Sequence, residues 1–260
     1  MMKNYNPDYP IIIGLAGKAA TGKTSVAEAI VPKASFSNEK HGMVWDHIFF
    51  AMPIYEFYSI RTKIEGIDAE SRKLFATHET LYDIYGNSSI GGVPDYDTFI
   101  KLSRKIATEP LTDNGSKPRS YLQKIGDYCR EHDDQCFAKH AIRKANKIYR
   151  DYNKHIRDEN VKPHCILISD VRFINEAEAI LASPNSMIIM FEASDEVRKE
   201  RILHRDGVMM TSEQMAHQSE QQINMMDDLV TARIDSSLMN IEAQALATIN
   251  EIKETLKVYA

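Results

Sequence analysis

The sequence predicts an α/β protein built on a parallel sheet with helices on both faces. Three observations predict it. The apolar runs of strand length are short and continuous, as strands buried on both faces require, where a half-exposed antiparallel sheet would show alternation. Helical patterns separate these runs along the chain. The first run, Ile11-Ile12-Ile13-Gly14-Leu15-Ala16, passes directly into a glycine-containing turn and then a helix start.

That turn is Gly17-Lys18-Ala19-Ala20-Thr21-Gly22-Lys23-Thr24, which fits Gly-x-x-x-x-Gly-Lys-[Ser/Thr] in the strand-to-helix setting the pattern needs. Its glycines let backbone N–H groups turn inward around a phosphate, the Lys23 ammonium reaches the β- and γ-phosphates, and the Thr24 hydroxyl can ligate Mg²⁺. Ser25 begins the helix whose positive dipole end faces the anion. Further strands are expected at Met43 to Ala51, Cys165 to Ser169, Met187 to Phe191 and, weakly, Leu229 to Ile234, about five in all. The stretch from Ser59 to Pro118 is too long for a connecting loop and reads as an inserted lobe, with turn clusters at 85–89, 91–94 and 112–118.

A chain of 260 residues, 43% of them hydrophobic, can bury a full core as one domain. Its 32 Lys and Arg against 37 Asp and Glu lack the basic excess of a nucleic-acid binder. No apolar stretch nears the ~20 residues of a membrane span, and Met1 to Pro7 holds no secretory apolar region, so a cytoplasmic protein with no membrane partner is expected. Three cysteines, Cys129, Cys136 and Cys165, suit reduced thiols better than a disulfide framework. Cys129, His132, Cys136 and His140 are zinc-like in type, yet along one helix they spread over ~16 Å and cannot converge on a metal.

Three constellations carry chemistry. Asp170 follows the strand Cys165 to Ser169, at the carboxyl end where open α/β sheets bind ligands. It can hold Mg²⁺ with Thr24 or accept a proton, although a strand-end Asp also serves as a turn or helix cap. Arg172 stands two residues on, placed to grip an oxyanion, with Asn175 and Glu176 opening the next helix. From Arg119, a helical reading puts Arg119, Gln123, Gly126 and Arg130 on one stripe beside an apolar stripe of Leu122, Ile125 and Cys129. Two guanidiniums, an amide and a glycine suit a nucleotide, and a solvated face explains the spacing equally well. Arg198, Arg201 and Arg205 share a further helix face, where spacing favours dipole compensation over arginine fingers.

In order along the chain, Gly14 to Thr24, Phe50-Ala51-Met52-Pro53-Ile54, Arg119 to Gly126, Ser169-Asp170-Val171-Arg172-Phe173-Ile174-Asn175-Glu176-Ala177 and His217-Gln218-Ser219-Glu220 resemble phage-type deoxynucleoside monophosphate kinases. The resemblance implies a three-layer P-loop NTPase fold in a single domain, with a core at about 9–58, 161–196 and 223–260, a monophosphate-binding lobe at about 59–160 and a lid at about 197–222. It implies transfer of the γ-phosphoryl group of ATP, with Mg²⁺, to a deoxynucleoside monophosphate in a host cytoplasm, and it leaves a homodimer open. On that reading Lys23, Asp170 and Arg172 are catalytic, and Thr24 and Asp170 hold the metal. Residues Gly17 through Ser25 bind ATP together with Arg201 and Arg205. Phe50, Arg119, Gln123, Gly126, Arg130, Arg172, Asn175, Glu176 and Glu220 form the acceptor site. One departure is Tyr55, where the family often carries Lys. Two alternatives stay open: a P-loop kinase of another small acceptor such as dephospho-coenzyme A, and a P-loop nucleotide switch with no second substrate.

Overall fold

The computed structural model describes residues 5–31, 38–40, 42–86, 94–111, 118–155, 162–237 and 239–258. Its elements begin with β1 (Ile11–Ala16), α1 (Lys23–Ile30), β2 (Asn38–Lys40), β3 (Met43–Ile48) and α2 (Met52–Lys63). Then come α3 (Ala69–Tyr85), α4 (Tyr96–Thr108), α5 (Arg119–Arg130), α6 (Cys136–His155), β4 (His164–Val171), α7 (Ile174–Leu181) and β5 (Asn185–Glu192). The chain ends through α8 (Asp195–Asp206), α9 (Ser212–Ala216), α10 (Gln218–Gln221), β6 (Ala232–Asp235) and α11 (Ile241–Leu256).

The strands form one sheet in the order β2-β3-β4-β1-β5-β6. β1 lies centrally, parallel to β4 and β5. Alternate β1 residues serve opposite cores. Ile11, Ile13 and Leu15 pack with Val26, Ile30, Ile249 and Ile252 of α1 and α11. Ile12 and Ala16 join the larger core beneath α2 to α7. All six β1 residues are buried, which is why the run shows no polar alternation. Among the described residues no helix is long and apolar enough to cross a membrane.

The five expected parallel strands are all present, with some bounds shifted, and an unexpected sixth joins the sheet. A sixth strand, β2, pairs antiparallel with β3; three polar residues, Asn38-Glu39-Lys40, carry no apolar run to announce it. β3 stops at Ile48, short of Ala51, because Asp170 accepts the Phe50 and Ala51 N–H groups and turns the chain into α2. The last strand starts at Ala232, after a short 3₁₀ turn over Asp227–Leu229. Residue 58, about where the first core segment was expected to end, lies within α2. Of the turn clusters expected in the lobe, residues 87–93 and 112–117 lie outside the described residues. The described residues of this stretch are mainly helical, α3 and α4 stacking on α2, α5 and α6 around Leu81, Ile84, Phe99 and Ile125.

Candidate functional site: a two-ended cleft

The carboxyl ends of β1, β3 and β4 open into a single cavity of about 1380 Å³, bounded by α1, α2, α5, the α8 to α10 segment and the start of α11. At one end lies the loop from Gly17 to Gly22. Gly17 (φ 139°) and Gly22 (φ 96°) both hold left-handed backbone, and a Cβ on Gly17 would stand 2.4 Å from the Phe191 carbonyl oxygen. Lys23 folds its ammonium into the loop, donating to the carbonyls of Gly17 (2.6 Å) and Lys18 (2.7 Å) and to Thr21 Oγ1 (3.0 Å). Thr24 and Ser25 lie exposed on the first turn of α1 and line the cavity. Lys18 and Thr21 do not line it; they face a second cavity of about 360 Å³ behind the loop. Gly17, also expected at the ATP site, is absent from the lining of the larger cavity as well.

Asp170 sits on the sheet face opposite α1. Its two carboxylate oxygens accept from Phe50 N (2.6 Å) and Ala51 N (2.9 Å), so it anchors the positive end of α2 as well as lining the cavity. That anchoring places Tyr55, one turn into α2, edge-on to Phe49. Burial and Asp170 push the Tyr55 hydroxyl up to about 12, against Arg172, Arg119 and Arg205. The hydroxyl thus lies within the field of the cleft's principal charges.

Arg172 donates to Glu220, which also accepts from Ala19 N at 3.1 Å and faces Arg198 at 3.6 Å. Burial alone would raise the Glu220 carboxyl; Arg172, the Ala19 N–H and Lys23 outweigh it and hold it below its usual range. Glu220 thus braces the phosphate loop against Arg172. Along α8, Arg198 donates to Ala19 O (2.9 Å), while Arg201 donates to Ala20 O (3.3 Å) and Ser236 O (2.7 Å). These cations touch the loop itself, so they do more than compensate a helix dipole.

At the other end, α5 brings three of the four expected stripe residues to the cavity, and the fourth, Gly126, is buried outside its lining. Arg119, Gln123 and Arg130 line the cavity, while Ile125 and Cys129 are fully buried. Gly126 permits a close approach: a Cβ there would stand 2.8 Å from Arg130 Nη1 and 3.3 Å from Ile54 Cδ1. Arg130 lies over the Phe173 ring (3.9 Å) and donates to Glu176 Oε1 (3.3 Å). Glu176 Oε2 accepts from Arg172 N (2.9 Å) and Phe173 N (3.1 Å), satisfying two donors at the start of α7. Burial pushes its carboxyl up to about 7, with Arg130 opposing and Asp170 assisting.

Asn175 does not join the site. It donates to the Asp134 carbonyl (2.7 Å) and is absent from the cavity lining, because successive helix residues point about 100° apart and Glu176 takes the inward position. Other lining residues escaped sequence reasoning. His47 Nε2 pairs with Ser169 Oγ at 2.7 Å on the α1 face of the sheet, and Gln244 of α11 lies beside Gly22. Asp206 also lines the cavity, and its one signal in the sequence is an acid at a helix C-terminus, where the dipole disfavours it.

The sheet order, with β4 and β5 flanking β1, and the loop between β1 and α1 define a P-loop NTPase fold. No protein-family model matches the chain, and no curated protein matches it. Among solved structures it is similar to TT1252 from Thermus thermophilus, at 14% identity over 94% of this chain and 98% of that one, with a TM-score of 0.41. A gluconokinase from Sinorhizobium meliloti is 15% identical over 96% and 95% of the two chains, with a TM-score of 0.38. An uncharacterised protein from Eubacterium ventriosum is 11% identical over 95% and 99%, with a TM-score of 0.37. Scores this low leave activity and substrate to be argued from the site.

Proposed function

We propose that the protein is a kinase that transfers the γ-phosphoryl group of ATP to a deoxynucleoside monophosphate. The observation that carries this reading is the single cavity joining the phosphate loop to the Arg119, Gln123 and Arg130 face of α5. A nucleotide switch needs only the first of these ends.

In this reading the loop amides and Lys23 hold the donor phosphates. Arg172, between the two ends, faces the transferring group, and Arg119 and Arg130 hold the acceptor. Little covalent chemistry is asked of the protein, so alignment and charge stabilisation supply the rate. Thr24 and Asp170 line the same cavity and would hold Mg²⁺ there: Thr24 offers an exposed hydroxyl, and each Asp170 oxygen accepts one N–H while keeping a further lone pair. When bound, the ion neutralises charge on the phosphate oxygens.

A coupled assay of ADP release, with ATP and Mg²⁺ against the separate deoxynucleoside monophosphates, tests the reading. Stimulation by at least one of them is expected. ATP turnover indifferent to all of them would abandon the acceptor assignment in favour of a switch, and turnover with a different small acceptor would redirect it.

A further inference from the structure

We propose that Asp206 is a positioning residue that seats Arg205 beside Arg119 at the acceptor end of the cleft. The inference rests on the kinase reading and deepens it by assigning the last turn of α8 to the acceptor, whereas the preceding turns hold the donor loop.

Asp206 is the final residue of α8, and its side chain is 3% exposed. A carboxylate there opposes the helix dipole, and a buried one demands cationic partners. It has two. Arg205 grips it with both arms, Nε to Oδ1 at 2.7 Å and Nη2 to Oδ2 at 2.9 Å, and Arg119 Nη2 reaches Oδ2 at 2.5 Å. The arginines come from helices far apart in sequence, and two guanidiniums at one place repel unless an anion lies between them. Asp206 supplies that anion. The three formal charges sum to one positive, and all three residues line the cavity, so the bridge presents a cationic face to an incoming phosphate.

Its neighbours on α8 do something different. Arg198 and Arg201 donate to the carbonyls of Ala19 and Ala20, in the donor loop. One helix therefore touches both ends of the cleft, and Asp206 sets which end Arg205 serves. Burial would raise the Asp206 carboxyl, but hydrogen bonds from Arg205 and Arg119 outweigh it and hold it at about 2. The bridge stays ionised at any working pH.

The test is the steady-state kinetics of Asp206→Asn, which keeps size and removes charge, with ATP and the acceptor varied separately. The expected result is an acceptor KM raised about tenfold or more, with the ATP KM within about twofold of wild type. A general structural defect would move both constants. Should Asp206→Asn fail to fold, Arg205→Ala, at a half-exposed side chain, reads the same assignment and is expected to raise the acceptor KM alone. An unchanged acceptor KM in folded Asp206→Asn overturns the inference. So does a lowered one, which would make the carboxylate a competitor for the phosphate, and so does an Arg205→Ala defect confined to ATP. If wild type turns over no monophosphate, the kinase reading falls and takes this inference with it. Wild-type turnover with an unmoved acceptor KM in the variants removes the inference alone.

Discussion

The two ends of the cleft are built on different principles. The end proposed for the donor is mostly backbone, one contiguous loop whose shape is set by Gly17, Gly22 and the inward-folded Lys23. The end proposed for the acceptor is mostly side chains, drawn from α2, α5, α7 and α8 and held by ion pairs such as Arg130 with Glu176 and Arg119 with Asp206. A backbone site tolerates changes in its surroundings and fails at a few positions. A side-chain site loses function by degrees as each brace is loosened.

Lys23→Ala tests the sharpest form of that contrast. It removes a transition-state charge and the donor that draws three loop oxygens together, and kcat is expected to fall by roughly 10²- to 10³-fold or more, about 3 kcal/mol or beyond. Near wild-type turnover would sink the donor assignment. Arg119→Ala should cost less and act elsewhere: about 2 kcal/mol, roughly thirtyfold, in kcat/KM for the acceptor, with the ATP KM little changed. Equal losses for both substrates would erase the distinction between the ends.

Gly126→Ala separates stability from function. The helix interior gains up to about 1 kcal/mol of propensity, and the new methyl displaces the Arg130 guanidinium and crowds Ile54. Thermal denaturation is expected to move little in either direction, while acceptor kcat/KM falls several-fold.

The smallest effect is one of pH. Glu176 has a folded-state pKa near 7, above its ordinary 4.5, so the native state binds its proton more tightly than the unfolded chain does. The sign follows: between about pH 4.5 and 7 this group makes stability fall as pH rises, and above 7 its contribution is flat. Asp206 acts oppositely, losing its contribution only as pH drops from 3.8 toward 2. Melting temperatures from pH 5 to 8 should decline less steeply in Glu176→Gln than in wild type, and parallel curves would remove Glu176 from the titration.

Much of the phosphate loop was readable from the residues, because a loop coded by eight consecutive positions needs no distant information. The helix beginning at Arg119 was readable too, since its apolar stripe of Ile125 and Cys129 faces the core. What escaped was pairing. Glu220 sits in a short polar string whose partners, Ala19 and Arg172, lie about 200 and 48 residues away. Asn175 was expected beside Glu176 in the site, and one residue of helix rotation carries it out. The three-residue strand β2 owes its existence to the exposed edge of β3, and its own residues carry no strand signal.

The sequence by itself determined the α/β layering, the phosphate loop and the arginine stripe of α5, because each depends on spacing within one element. Only the tertiary structure decided that the loop and the stripe share one cavity, that Asp170 anchors α2, and that Arg205 turns toward Arg119 through Asp206. Those facts depend on contacts between elements far apart in the chain. The physical reason is that a carboxylate's role is set by which donors surround it once buried, and local spacing does not encode those neighbours.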